Sequence, residues 1–164
     1  MFDESALGAR GLSLQPAREE DAPFLRALFE AARADAAILA AWPEPVRQPF
    51  LDQQFHFQAV HYARVYPDAD RLLVVADGAP VGRLIVARAP SEWCLVDIAL
   101  LPAWRDRGIG TLLMRMVQAG TRQAGASCLR LTVDAKNPAR RLYERLGFTM
   151  DEESAPTVTM SWRP

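Results

Sequence analysis

Arg105, Asp106, Arg107, Gly108, Ile109 and Gly110 stand in succession between an apolar run and an amphipathic one. Two glycines two residues apart allow a tight turn and let the backbone bring consecutive N–H groups onto one ligand. Leu112, Leu113, Met116 and Val117 then recur at helical spacing. The N–H groups of Ile109, Gly110 and Thr111 therefore fall in a first helical turn, where they have no intrahelical acceptor. With the positive end of the helix dipole and the charges of Arg105 and Arg107, this is chemistry for holding an anion, and a pyrophosphate fits it. Two commoner phosphate loops are absent: no lysine precedes Thr111, and Leu113 stands where a dinucleotide fingerprint needs its third glycine. A plain strand-to-helix turn with solvated arginines would use the same residues.

The run before the loop, Leu95 to Leu101, reads as a strand buried on both faces, ended by Pro102. Asp97 is its one ionisable residue. A carboxylate in apolar surroundings is costly unless it is paired or used, so Asp97 is either a structural acid bound to a nearby arginine or a general base with a raised pKa. His56, His61 and Glu92 are the other candidates for a base. A second strand runs from Ser127 to Val133, and Asp134-Ala135-Lys136-Asn137-Pro138 breaks it. Asn137 before Pro138 reads as the N-cap of a short helix that ends at Gly147.

Here the chain resembles the GNAT superfamily of acetyl-CoA-dependent N-acetyltransferases. Their pyrophosphate loop, Arg/Gln-x-x-Gly-x-Gly/Ala, is matched by Arg105, Gly108 and Gly110. Their downstream signature, Asn-x-x-Ala/Arg-x-x-Leu-Tyr-x-x-x-Gly-Phe, is matched by Asn137, Arg140, Leu142, Tyr143, Gly147 and Phe148. The resemblance implies acetyl-CoA as co-substrate, held by Arg105, Arg107, Gly108, Ile109, Gly110, Thr111, Asn137, Arg140 and Tyr143. Its pantetheine arm would pair with the backbone at Ala99, Leu100 and Leu101. Tyr143 would be the general acid for the departing thiolate, and Lys136, Arg140 and Arg141 form a basic cluster suited to the 3′-phosphate. The family places its amine acceptor partly on the N-terminal helices, which here brings in His61 and Tyr62. The last strand departs from the family habit of carrying a tyrosine, for Pro156 to Trp162 has none. A direct ternary complex is implied, with a non-catalytic acyl-CoA-binding or sensor module as the alternative. The acceptor would be a small-molecule or peptide amine.

At 164 residues the chain suits one domain with its own core. Residues 1–10 lack periodicity and read as a loose leader, with a single domain over 11–164. Nineteen basic residues against twenty acidic ones give net −1, which offers nothing to nucleic acid. No apolar run approaches the ~20 residues of a membrane span, and the N-terminus lacks a signal-peptide pattern. Two cysteines and two histidines make no metal-ligand cluster. A cytoplasmic setting without metal is expected, and a homodimer is not readable. The pattern of elements predicts an α/β fold: a mostly antiparallel sheet of six to seven strands, a splayed parallel pair at its centre, and about four helices. Asp77-Gly78 marks a hairpin, with a bulge expected near Gly82.

Overall fold

The computed structural model describes residues 2–33 and 36–164. The described strands are β1 (Leu12–Pro16), β2 (Asp70–Ala76), β3 (Ala79–Arg88), β4 (Glu92–Leu100), β5 (Cys128–Asp134), β6 (Thr149–Ser154) and β7 (Thr157–Trp162). They form one seven-stranded sheet in the order β1-β2-β3-β4-β5-β7-β6, antiparallel except for β4 and β5. The described helices are α1 (Ser5–Gly8), α2 (Ala22–Ala32), α3 (Ala36–Ala40), α4 (Glu44–Val65), α5 (Ile109–Gln123) and α6 (Arg140–Arg145). The expected α/β architecture holds, with the short α1 and α3 added.

The main core lies on the α5 face. Leu84 and Val86 of β3, Trp93 and Leu95 of β4, and Leu129 and Leu131 of β5 pack there with Leu113, Met114 and Val117 of α5. A smaller cluster of Phe29, Leu39 and Leu51 joins α2, α3 and α4 on their own side. Residues 2–10 are not a loose leader. Leu7 of α1 is 1% exposed, and Phe2 meets Trp93 edge-on at 6.0 Å, with the Arg88 guanidinium 5.0 Å above the Phe2 ring. A four-residue helix is too short to leave a periodic signal, which is why the sequence pattern missed it. Met1 lies outside the described residues.

The feature that shapes the site is a bulge in β4. Ile85 pairs with Asp97 and Val86 with Leu95, so Val96 is an extra residue with no partner on β3. An extra residue shifts the alternation of side chains by one. Up to the bulge Trp93 and Leu95 face α5; beyond it Ile98 and Leu100 do. Asp97 and Ala99 are thereby turned to the opposite face. The parallel pairing of β4 with β5 also ends here, for it covers only Glu92↔Cys128 to Leu95↔Leu131. Both strands continue, β4 to Leu100 and β5 to Asp134, with a gap between them. A second bulge lies beside Gly82, where Val74 pairs with Gly82 and Val75 with Pro80.

Candidate active site

The gap between β4 and β5 opens into a cavity of about 170 Å³. Its walls are Leu95 to Ile98 on one strand and Leu131 to Asp134 on the other, with Tyr62, Asn137 and Tyr143 around them. Tyr143 comes from α6, whose ring belongs to the α5-side core and lies 5.9 Å from Phe148. Tyr62 comes from α4, on the other face of the sheet. The cavity therefore passes through the sheet, with one predicted site residue at each end and Asp97 between.

Both phenols are held in the protonated form. Burial, and then the negative charge of Asp97, push Tyr143 up to about 12. Burial also raises Tyr62 above its ordinary value, with Asp97 adding to the effect and Arg83 opposing it. Burial raises the Asp97 carboxyl as well, and the attraction of Arg83 and the Ile98 N–H offset this only in part. Asp97 is indeed bound to an arginine: Arg83 Nε donates to Oδ2 at 2.6 Å and Nη2 lies 2.5 Å from the same oxygen. Arg83 Nη2 also donates to Gln58 Oε1 of α4 at 3.0 Å. Sequence reasoning named neither Arg83 nor Gln58. The signal available was an arginine inside an otherwise apolar strand, Val81 to Ala87.

The register of β3 and β4 decides which backbone groups face the gap. Leu101 N donates to Val81 O at 2.9 Å, and Gly82 is opposite Leu100. In an antiparallel pair hydrogen-bonded positions alternate with positions that point away. Leu101 and Ala99 therefore bond to β3, and Ile98 and Leu100 present their N–H groups to the gap. Of Ala99, Leu100 and Leu101, the three residues expected to pair with a pantetheine arm, only Leu100 turns its N–H to the gap, and Ile98, which does so too, was not among them. A period-two rule applied without the partner strand could not tell the two sets apart.

The glycine loop is built as a concave turn. Asp106 and Gly108 have φ of 57° and 75°, and Gly108 caps α5 in the left-handed conformation. The first ladder bond of the helix runs from Leu112 N to Gly108 O at 3.0 Å, so Ile109, Gly110 and Thr111 present their N–H groups at the open end. Gly110 is not required by its own backbone, which has no positive φ. Nor is it required by its neighbours, for a Cβ there would lie 3.6 Å from Leu142 Cδ2, an ordinary contact. Space is left beside those donors, and a diphosphate suits it.

The arginines around the loop are less free than the sequence implied. Arg105 donates from Nε to Leu100 O at 2.9 Å and from Nη2 to Ala31 O at 2.7 Å, tying α2 to the end of β4. Its fork braces the loop rather than reaching over it. Arg107 lies 5.0 Å above the Trp104 ring, and its carbonyl accepts from Arg10 Nη1 at 2.9 Å. Arg140 is half-buried, bonded to Ala135 O at 3.3 Å and 3.7 Å from Glu144. Lys136 and Arg141 are exposed. Asn137 Oδ1 accepts from Ala139 N at 2.9 Å, which fixes the turn before α6; the N-cap of that helix is Ala139 and not, as the sequence suggests, Asn137.

The other predicted positions separate. Tyr62 lines the cavity, but His61 is exposed and meets only the edge of its neighbour's ring at 6.0 Å. Successive helical residues point about 100° apart, so both cannot face one cavity. His56 is exposed too. Glu92 lies at the far end of β4, paired with Arg130 at 3.1 Å. Cys94 and Cys128 are free thiols, 3.7 Å from Tyr66 Oη and 3.2 Å from Glu92 Oε2. Among the described residues no group of acids, histidines and cysteines is placed to hold a metal, and no helix is long and apolar enough to cross a membrane.

Residues 25–148 match the model of a family described as the acetyltransferase (GNAT) family. A [ribosomal protein bS18]-alanine N-acetyltransferase of Haemophilus influenzae is 32% identical over 77 residues, covering 47% of this chain and 53% of that protein. A mycothiol acetyltransferase of Nocardiopsis dassonvillei is 33% identical over 93 residues, 56% of this chain and 24% of that protein. The matched stretches thus span about half of the first relative and about a quarter of the second. The PaiA N-acetyltransferase of Thermoplasma acidophilum, solved in complex with coenzyme A, superposes with a TM-score of 0.70 at 16% identity, covering 93% of this chain and 99% of that one. The likeness to that structure is one of fold.

Proposed function

The chain belongs to the acetyltransferase (GNAT) family, and we propose that it moves the acetyl group of acetyl-CoA to a primary amine by direct attack within a ternary complex. The observation that carries this reading is the cavity through the sheet, with a phenol at each end and a carboxylate between them. Bound acetyl-CoA supplies an activated acyl group and a thiolate leaving group. The N–H groups of Ile109, Gly110 and Thr111 suit its diphosphate, and the Asn137 amide, whose oxygen accepts from Ala139 N, keeps its NH₂ donors for the same ligand. The N–H of Leu100 suits the pantetheine arm or a developing oxyanion.

Tyr143 is the donor toward the leaving sulfur. Its pKa, pushed up to about 12, lies above the ~8.5 of a free thiol. A full proton transfer is therefore uphill, and the phenol acts mainly by hydrogen bonding to the departing thiolate. On the other face, Asp97 is the acceptor for the amine's proton, directly or through water, with Tyr62 forming the wall of the acceptor site. Aliphatic amines have pKa near ~10.4 and arrive largely protonated, so an anionic acceptor is useful there.

The acceptor is open to a direct screen. Spermidine, L-lysine, tyramine and a hexapeptide with a free N-terminal alanine are presented separately with acetyl-CoA, and release of free coenzyme A is followed. The peptide is included because a bS18-alanine N-acetyltransferase is among the relatives. Amine-dependent release supports the enzyme reading. Tight coenzyme binding with no release on a broad amine panel supports a sensor module instead.

A further inference from the structure

We infer that Arg83 is a positioning residue for the reaction: with Gln58 it forms a clamp that holds Asp97 at the acceptor side of the gap and fixes the height of Tyr62. The inference rests on the reading of Asp97 as the proton acceptor. Arg83 lies on β3 opposite Ala99, and Ile85 lies opposite Asp97, so Arg83 and Asp97 are diagonal neighbours on one face. They share that face only because the bulge at Val96 turns Asp97 away from α5. The distortion that opens the gap therefore also creates the ion pair.

The Arg83 side chain is 10% exposed and that of Asp97 19%. A buried ion pair is weak support for stability, since apolar residues of similar volume do as well or better. Its geometry suggests another use. One guanidinium fork reaches Asp97 with two nitrogens and Gln58 with one of them, linking β3, β4 and α4. Gln58 stands one helical turn before Tyr62, so the hydrogen bond that holds Gln58 also sets where Tyr62 meets the cavity.

The charge of the clamp matters to the proton. The groups facing Asp97 are Arg83 from β3, Gln58 and Tyr62 from α4, Tyr143 from α6, and Asp134 and Asn137 across the gap, with Cys94, Tyr66 and Glu92 further along the same face. Among the described residues Arg83 is the one cation in direct contact. It favours the ionised carboxyl against burial. Without it, Asp97 stays protonated to higher pH and cannot take the amine's proton.

The direct test is the titration of the Asp97 carboxyl carbon, followed by NMR in the wild type, Arg83→Met, Arg83→Lys and Gln58→Leu. The Arg83→Met midpoint should move up by about one pH unit or more, since an adjacent opposite charge is worth about 1–3 units. Arg83→Lys should bring it back toward the wild type. Gln58→Leu should leave the midpoint alone and raise KM for the amine several-fold, read with spermidine and the alanyl hexapeptide as separate acceptors, with acetyl-CoA affinity unchanged. An unmoved midpoint in Arg83→Met, or an unmoved amine KM in Gln58→Leu, overturns the clamp. If Arg83→Met does not fold, Gln58→Leu decides: a wild-type amine KM in that variant overturns it. Asp97→Asn separates the two readings. Loss of the acidic limb of kcat/KM in that variant, with no effect of Arg83→Met, removes the clamp alone; an unchanged limb removes Asp97 as the base.

Discussion

The two ends of the cavity are built in different ways. On the side of the glycine loop, the donors of Ile109 to Thr111, the Asn137 turn and Tyr143 lie within 35 residues of one another, in segments whose turns and helix ends are set by their own residues. On the acceptor side, Gln58, Arg83 and Asp97 come from three elements, and each contact joins residues 14 or 25 positions apart. The first side is a property of local chain geometry. The second exists only when α4 lies on a sheet that has the correct register. A relative can share the first with this chain and differ at the second, which is how one fold serves many acceptors.

The largest effect should come where the two sides meet. Tyr143→Phe is expected to lower kcat by about 10²-fold, the low end for a proton-transfer role because the phenol acts by hydrogen bonding. Acetyl-CoA affinity by calorimetry should stay within a few-fold. Because burial and the charge of Asp97 push Tyr143 up to about 12, it keeps its proton through the neutral range and contributes no basic limb there. A basic limb near pH 8 that disappears in Tyr143→Phe would contradict this.

Gly110→Val tests the loop side by itself. The branched side chain fills the space beside the helix N-terminus and displaces a charged ligand from its donors, at about 2 kcal/mol for a charge-assisted hydrogen bond. That is roughly 30-fold in acetyl-CoA affinity, with the melting temperature little changed because a Cβ there makes only an ordinary contact with Leu142. Unaltered affinity in the folded variant would remove the loop from the coenzyme site.

Phe2→Ala probes the support beneath both sides. The ring is 9% exposed and lies against Trp93, the β4 residue that anchors the strand before its bulge. Truncation should cost about 1.5–2 kcal/mol, below the usual range for a buried phenylalanine because the ring lies at the core's edge. Urea unfolding measures it, and a loss under about 0.5 kcal/mol would return these residues to a loose leader.

The smallest effect is expected at His61. His61→Ala should change kcat/KM by less than about twofold for any amine, as fits an exposed surface residue with no contact to the cavity. A tenfold loss would mean that the acceptor site reaches round α4, and the comparison between the two sides would need redrawing.

The amino-acid sequence by itself determined the order of the strands and of the longer helices, the parallel crossover and the glycine turn from β4 into α5. Those features depend on runs of apolar residues, on glycines at fixed spacing and on turns such as that at Asn137, all of which act within a few residues. It also posed the right question about Asp97, because an acid in an apolar strand requires a partner or a task. The answer needed the fold. Period two along β4 puts Asp97 on the α5 face with Leu95, and only the pairing with β3 reveals the extra residue at Val96 that turns it over. The same register, absent from any single segment, bonds Ala99 and Leu101 to β3 and leaves Ile98 and Leu100 facing the gap. Arg105 looked free beside the loop until α2 came within reach and offered the Ala31 carbonyl. Local chemistry is written residue by residue, whereas a partner brought in from 14 or 74 positions away exists only once the sheet has closed around it.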